Sequence, residues 1–533
     1  MSEETTQPLP QESTADGGIS ASTRLTPTEQ KVRGLMCIRP TTVVPVIFVP
    51  GIMGSNLRDA STMEKVWNTN STTSILFQWI FRSASTRQTK LAPDKAEVDD
   101  RGRWFGKSAS VPDEKTAKLR RQGTTSRAFY GEFARWLDDQ LNDHGQATHA
   151  GHPSPWQRYV DGTQKDTTWN AQKPFQKLDK EASNNAWDHF FCPVHIHGYN
   201  WLKSNGEAGK VLAEDIQKII DYWNAQTDCG YHCEQVILVT HSMGGLTSRA
   251  AVHAAYGNAA DKVLGIVHGE QPANGAAAAY HHCRNGYGGI SGWVLGRNAA
   301  QVSAVFANAP GAMELLPNQQ YEANGKKAWL KAQLGEGSTP AMELPQSDPY
   351  VEIYLKNDVW WRLMDPALID PAKKLPNPWT IFQKNITSVS DFHCALGTYY
   401  HPRTYVHYGA DAKKHPAYGN LLWKSRTTAS ITSAQLLAAP PGDGSNPVTV
   451  NSPADASKIR FEIVAPGDMG YPQPGDETVP DCSGEAPFVQ GGGSIQQSFR
   501  MQGFEHQAAY NNEDVRHCTL YAIGRLLQRA KVL

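Results

Sequence analysis

The chain has 533 residues, 40% hydrophobic and 19% charged, and its 51 basic and 52 acidic side chains leave a net charge of −1. This composition excludes a disordered chain, and the balanced charge, without a basic stripe, argues against a nucleic-acid binder. No apolar run approaches the roughly 20 residues that cross a bilayer, and the eight cysteines lack the paired spacing of a zinc site.

Residues 1–40 open on Ser, Thr, Glu, Gln and Gly with few apolar side chains. Such a stretch cannot offset the entropy of ordering, so a flexible tail is expected. It also lacks the basic and apolar regions of a cleavable signal peptide. From residue 41 to 533 a single α/β domain is expected. Continuous β-branched runs at 43–49, 192–197, 236–240, 263–268, 404–408 and 498–504 suit strands covered on both faces. Helical patterns fall between them or after them at 209–224, 245–256 and 514–531, the last approached through the capping residues Asn511 and Asn512. Strand alternating with helix reads as a mostly parallel sheet flanked by helices.

Three stretches break the alternation, at about 58–190, 272–402 and 425–470, and are expected to form cap or lid insertions over the strand ends, where open α/β sheets carry their function. In the first, residues 74–82 are apolar on nearly every face, which makes Trp79 and Phe81 candidates for lipid contact, with a buried cap helix as the plainer reading. Residues 293–295 and 359–361 are second candidates. Cys229 and Cys233 bracket a short loop and have the spacing to close a disulfide in an oxidising compartment; free thiols are the simpler expectation.

The run Val236-Ile237-Leu238-Val239-Thr240-His241-Ser242-Met243-Gly244-Gly245 reads as a nucleophile elbow: a strand ends in a serine, and small residues let the next helix pack closely. Thr240 stands where this turn usually has glycine. A serine attacks only when a base takes its proton and a third group orients that base. His506, between the last strand and the last helix, is the expected base; His517 falls inside the helix. Asp476, in Gly475-Asp476-Glu477-Thr478-Val479-Pro480, is the expected acid, with Asp411 as the main alternative and Glu477 behind it. Two backbone amides must face the developing oxyanion. Met243, after the nucleophile, supplies one, and Ile52, in the turn Pro50-Gly51-Ile52-Met53-Gly54, the other, with Met53 as alternate. Neither a metal nor a cofactor is called for.

The segment Pro45-Val46-Ile47-Phe48-Val49-Pro50-Gly51-Ile52-Met53-Gly54-Ser55-Asn56-Leu57, with His241-Ser242-Met243-Gly244, Tyr199-Asn200-Trp201 and the Gly-Asp-x-Thr-Val run at 475–479, resembles the lecithin:cholesterol acyltransferase and lysosomal phospholipase A2 group. His268-Gly269-Glu270-Gln271-Pro272-Ala273-Asn274-Gly275-Ala276 and Pro402-Arg403-Thr404-Tyr405-Val406-His407-Tyr408-Gly409 are similar to bacterial lipase effectors delivered by type VI secretion. These resemblances imply an α/β-hydrolase fold and a serine lipase or phospholipase acting on membrane phospholipid. They further imply a cognate immunity protein, a secretion-spike component and delivery into a target cell's periplasm. Acyl transfer or neutral-glyceride hydrolysis are the alternatives within the fold, and a catalytically silent, protein-binding module is the alternative outside enzymes.

Overall fold

The computed structural model describes residues 39–68, 82–142, 168–178, 189–288, 296–335, 337–426, 431–452 and 455–532, together with Trp79 and the stretches 5–9, 11–13, 19–21 and 32–35. Six parallel strands make the central sheet: β1 Val46–Val49, β2 Val194–Ile196, β3 Val236–His241, β4 Val263–Gly269, β5 Thr404–Gly409 and β6 Ile495–Met501, in the order β2-β1-β3-β4-β5-β6. Every residue of β1, β3 and β4 is buried, as a sheet covered on both faces requires. The last strand begins three residues before the expected run. Phe504 lies beyond it, in the loop that carries His506.

Side chains alternate across the sheet, and the two faces carry separate cores. Ile47 and Val49 of β1 pack with Leu212, Ile216 and Leu246, from α2 Asn205–Asn224 and α3 Gly244–Val252. Val46 and Phe48 pack on the other face with Phe133, Leu137, Val515 and Ile523, from α1 Arg127–Asn142 and, at the C-terminal end, the helix Glu513–Leu527. Ser204 caps α2 by accepting from the Gly206 amide, and Asn512 caps the C-terminal helix by accepting from Val515. The expected insertion at 58–190 is therefore only partly an insertion, since α1 covers the sheet itself. Its apolar residues Tyr130, Phe133, Ala134, Leu137 and Leu141 recur at helical spacing and are all buried.

The other two expected insertions join into one cap lobe with its own apolar core, which runs from Ala276 to Met469 and includes Trp329, Trp360 and Trp423. A five-stranded mixed sheet crosses it in the order Met342–Leu344, Leu330–Leu334, Leu421–Ser425, Lys458–Ile463, Val448–Asn451. The second part of the lobe thus begins before residue 425. A helix α4, Pro378–Leu396, stitches cap to base, with Phe382, Ile386 and Val389 in the cap core and Phe392 and Leu396 in a base core.

Within residues 1–40, the expected tail, the described backbone forms two short pairs: Thr5–Pro8 parallel to Val32–Leu35, and Gln11–Ser13 antiparallel to Ile19–Ala21. Cys229 and Cys233 are free thiols. Trp79 is not a lipid contact in this structure but a core residue. Its ring is buried 5.8 Å from that of Trp67, with the Arg87 guanidinium 5.3 Å away on its face. A large apolar ring is better removed from water by neighbours than by solvent-facing chain. Phe81 and residues 293–295 lie outside the described residues. Trp360 and Trp361 are buried in the cap, where their indole N–H groups donate to the Leu436 and Leu437 carbonyls. Among the described residues, no helix is long and apolar enough to cross a membrane.

Candidate active site

Four strand ends converge at the carboxyl edge of the sheet. After β3, Ser242 adopts a left-handed backbone with φ 54°, and its amide donates to the Gly269 carbonyl at 2.8 Å. A non-glycine residue in this region is strained, and it persists because the surrounding turn over-determines it. The close packing is visible at Gly244, where a β-carbon would stand 2.4 Å from the Val49 carbonyl oxygen. Thr240, where this turn usually has glycine, turns its side chain to His268, with the hydroxyl 3.0 Å from Nδ1.

His506, after β6, reaches Ser242 Oγ with Nε2 at 2.8 Å and Asp476 Oδ2 with Nδ1 at 2.8 Å. Its amide also donates to the Asp476 carbonyl at 2.8 Å. Nδ1 donates to the carboxylate, so Nε2 is left as the acceptor for the serine O–H. All three side chains are buried. Burial works to lower the His506 pKa, but the charge and hydrogen bond of Asp476, aided by the charge of Glu270, prevail and raise it above the ordinary 6.5. Asp476 is itself held by the Val479 and Thr478 amides, which donate to Oδ1 at 2.7 and 3.1 Å.

The two rival acids lie at the same strand end. The chain leaves β5, builds half of the cap and returns, and the Asp411 amide donates to the Gly475 carbonyl at 2.9 Å. The Asp411 carboxylate accepts from the Lys413, Lys414 and Gly503 amides, so it braces a loop and does not bond His506. Glu477 turns outward to His415 at 2.7 Å. His517 is buried in the C-terminal helix, edge-on to Trp136.

The turn after β1 is folded back by the Gly54 amide donating to Gly51 O at 3.0 Å. Among the described residues, none of the Ile52, Met53 and Met243 amides has a hydrogen-bond acceptor. Met53 sits at φ 63° with its carbonyl accepting from Trp67 Nε1 at 2.8 Å.

Three buried groups escaped the sequence reading. Tyr130 bonds His241 at 2.9 Å, and the neighbouring pair Glu270 and His407 bonds at 2.9 Å, with His407 continuing to the Thr519 hydroxyl at 3.0 Å. Helical periodicity around Tyr130 was the available signal for the first. The other two lay inside motifs already singled out by resemblance. Among the described residues, no group of three or more His, Cys, Asp or Glu side chains gathers to hold a metal ion.

The parallel sheet, with a serine at the strand-to-helix turn of β3 and an acid and a histidine following it in chain order, defines an α/β-hydrolase. No protein-family model and no curated protein matches the chain. Among solved structures, a chain in the crystal structure of the Tle4–Tli4 complex is 31% identical, with a TM-score of 0.77 over 92% of this chain and 99% of that one. The chain belongs to the Tle4 family of type VI lipase effectors. The Bacillus licheniformis lipase BlEst2, in mature form, is also similar, at 18% identity over 31% of this chain and 72% of its own, but its TM-score of 0.16 lends no weight to a function.

Proposed function

We propose that this effector is a serine phospholipase that cleaves acyl esters of membrane phospholipid through Ser242, His506 and Asp476. The reading is carried by one observation, the buried line of 2.8 Å contacts from Asp476 through His506 to Ser242. As the Ser242 oxygen attacks the acyl carbonyl, its proton passes to His506 Nε2, and Asp476 stabilises the resulting imidazolium. The carbonyl π electrons move onto oxygen, where the Ile52 and Met243 amides are available as donors; each such donor is worth about 10²–10³ in rate. Collapse of the tetrahedral adduct expels the glycerol-side alkoxide, which takes the proton from His506. Water then adds to the acyl-serine with His506 again as base, releasing the fatty acid and restoring Ser242.

The Tle4 relative was crystallised in a complex with Tli4, which supports a cognate immunity protein as the partner of this chain. Membership of the family supports delivery by a type VI apparatus, through a spike component, into the periplasm of a target cell. The test compares fatty acid released from phospholipid vesicles by the wild type and Ser242→Ala, with triglyceride emulsion as the competing substrate. Loss of release in the variant is expected. Equal release by both proteins, or a marked preference for triglyceride, would overturn the reading.

A further inference from the structure

Between the turn after β1 and the His506 loop runs one continuous chain of hydrogen bonds, and chemistry fixes its polarity. The Gly51 amide donates to the Tyr130 hydroxyl at 3.3 Å, and that oxygen stands 2.9 Å from His241 Nδ1. Across the same ring, His241 Nε2 stands 2.9 Å from the His506 carbonyl oxygen. A carbonyl only accepts, so Nε2 carries the hydrogen. His241 is buried, and burial, reinforced by the adjoining His506 ring, keeps its pKa well below the ordinary histidine value. The ring is therefore neutral, and Nδ1 is a bare acceptor. The Tyr130 hydroxyl, whose pKa burial pushes up to about 12, keeps its proton and donates it to Nδ1 while accepting from Gly51. The Gln507 side chain, next to His506, reaches the same oxygen.

We propose that Tyr130 and His241 are positioning residues that hold the Gly51–Ile52 turn and the His506 loop at a fixed separation across Ser242. The proposal rests on the reading of Ser242 as nucleophile. It gives a role to the residue that precedes the serine, and to a tyrosine more than a hundred positions upstream on α1. The base and the oxyanion donors act on the same tetrahedral adduct from different loops. Unless something spans the two loops, each can drift alone. The span is made of rigid, buried rings, and its ends grip backbone atoms, whose place no rotamer change can alter.

The test uses a short soluble ester and the full chain as wild type, Ser242→Ala, Tyr130→Phe, His241→Phe and His241→Gln, the last keeping an amide N–H for the His506 carbonyl. Melting temperature is followed alongside kcat, KM and affinity for a trifluoromethyl ketone analogue of the ester. Since a misplacement of about 1 Å costs about 10²-fold in rate, Tyr130→Phe and His241→Phe are expected to lower kcat about ten- to a hundredfold with KM within about twofold. Ketone affinity falls in step, and His241→Gln recovers part of the rate. Where Tyr130→Phe does not fold, the contrast between the two His241 variants carries the test. Wild-type kcat and ketone affinity in the folded variants would overturn the proposal, whatever happens to the melting temperature. Activity that survives in Ser242→Ala is a different result and would bring down the serine mechanism itself.

Discussion

A β-carbon placed on Gly51 would stand 2.9 Å from the Ser242 Cβ, closer than such atoms approach one another. The turn after β1 is thus pressed against Ser242, the proposed nucleophile.

Gly51→Ala must push this turn away from Ser242. With one oxyanion donor displaced, kcat/KM on a short ester is expected to fall about 10²–10³-fold. Turnover at the wild-type rate would show that the turn gives way without moving its amides.

The acid is tested by paired substitutions. Asp476→Asn leaves the imidazole without a charged partner and lets it adopt the wrong tautomer, so kcat is expected to fall about 10⁴-fold. Asp411→Asn perturbs a loop that merely caps amides and is expected to keep kcat within about threefold. A reversal of these two outcomes would hand the role to Asp411.

The pH profile follows from the raised His506 pKa. Attack needs the neutral ring, with Nε2 free to accept, and the folded enzyme holds that proton to higher pH than an ordinary histidine. The limb of kcat/KM is expected to rise with pH with its midpoint above 6.5, and to move down in any residually active Asp476→Asn protein. A limb centred below 6.5 in the wild type would contradict this.

Glu314 offers a separate test in stability. Burial drives its carboxyl from the ordinary 4.5 up to about 7, although Ser204 and Asn205 donate to it. The folded state grips this proton more tightly than the unfolded chain. Its contribution is therefore full below about pH 4.5 and is lost as pH rises through about 7. Across that window the melting temperature of Glu314→Gln, relative to wild type, is expected to rise with pH. A constant difference would leave the carboxyl without this role.

Trp79→Ala removes a buried ring and is expected to destabilise the fold by about 3–5 kcal/mol, seen in denaturant unfolding. Activity on vesicles and on a short ester should fall together, in proportion to the folded fraction. A selective loss of vesicle binding would return Trp79 to the lipid surface.

Much of the base was legible because its strands are continuous apolar runs, and Ser242, Asp476 and His506 were proposed together because they occur in the chain order of the α/β-hydrolase fold. The cap sheet was not. In Lys458–Ile463 the side chains alternate between exposed and buried, a period of two spread over six residues within Pro-, Ala- and Ser-rich chain. That signal is weak beside the surrounding turn residues. α1 was absorbed into an insertion because the polar chain around it hid a buried stripe that is plain once the helix is drawn. Asp411 and Asp476 looked alike in sequence because the whole second half of the cap lies between them, while in space they flank one strand end.

The cap is built in two instalments, with β5 of the base made between them, so the chain passes from base to cap and back twice. The lobe is thus tied on by several separated crossings, and α4 joins its core to that of the base. A protease that cuts one crossing would leave the two halves clamped together, so nicked protein should still migrate as a single particle until denatured.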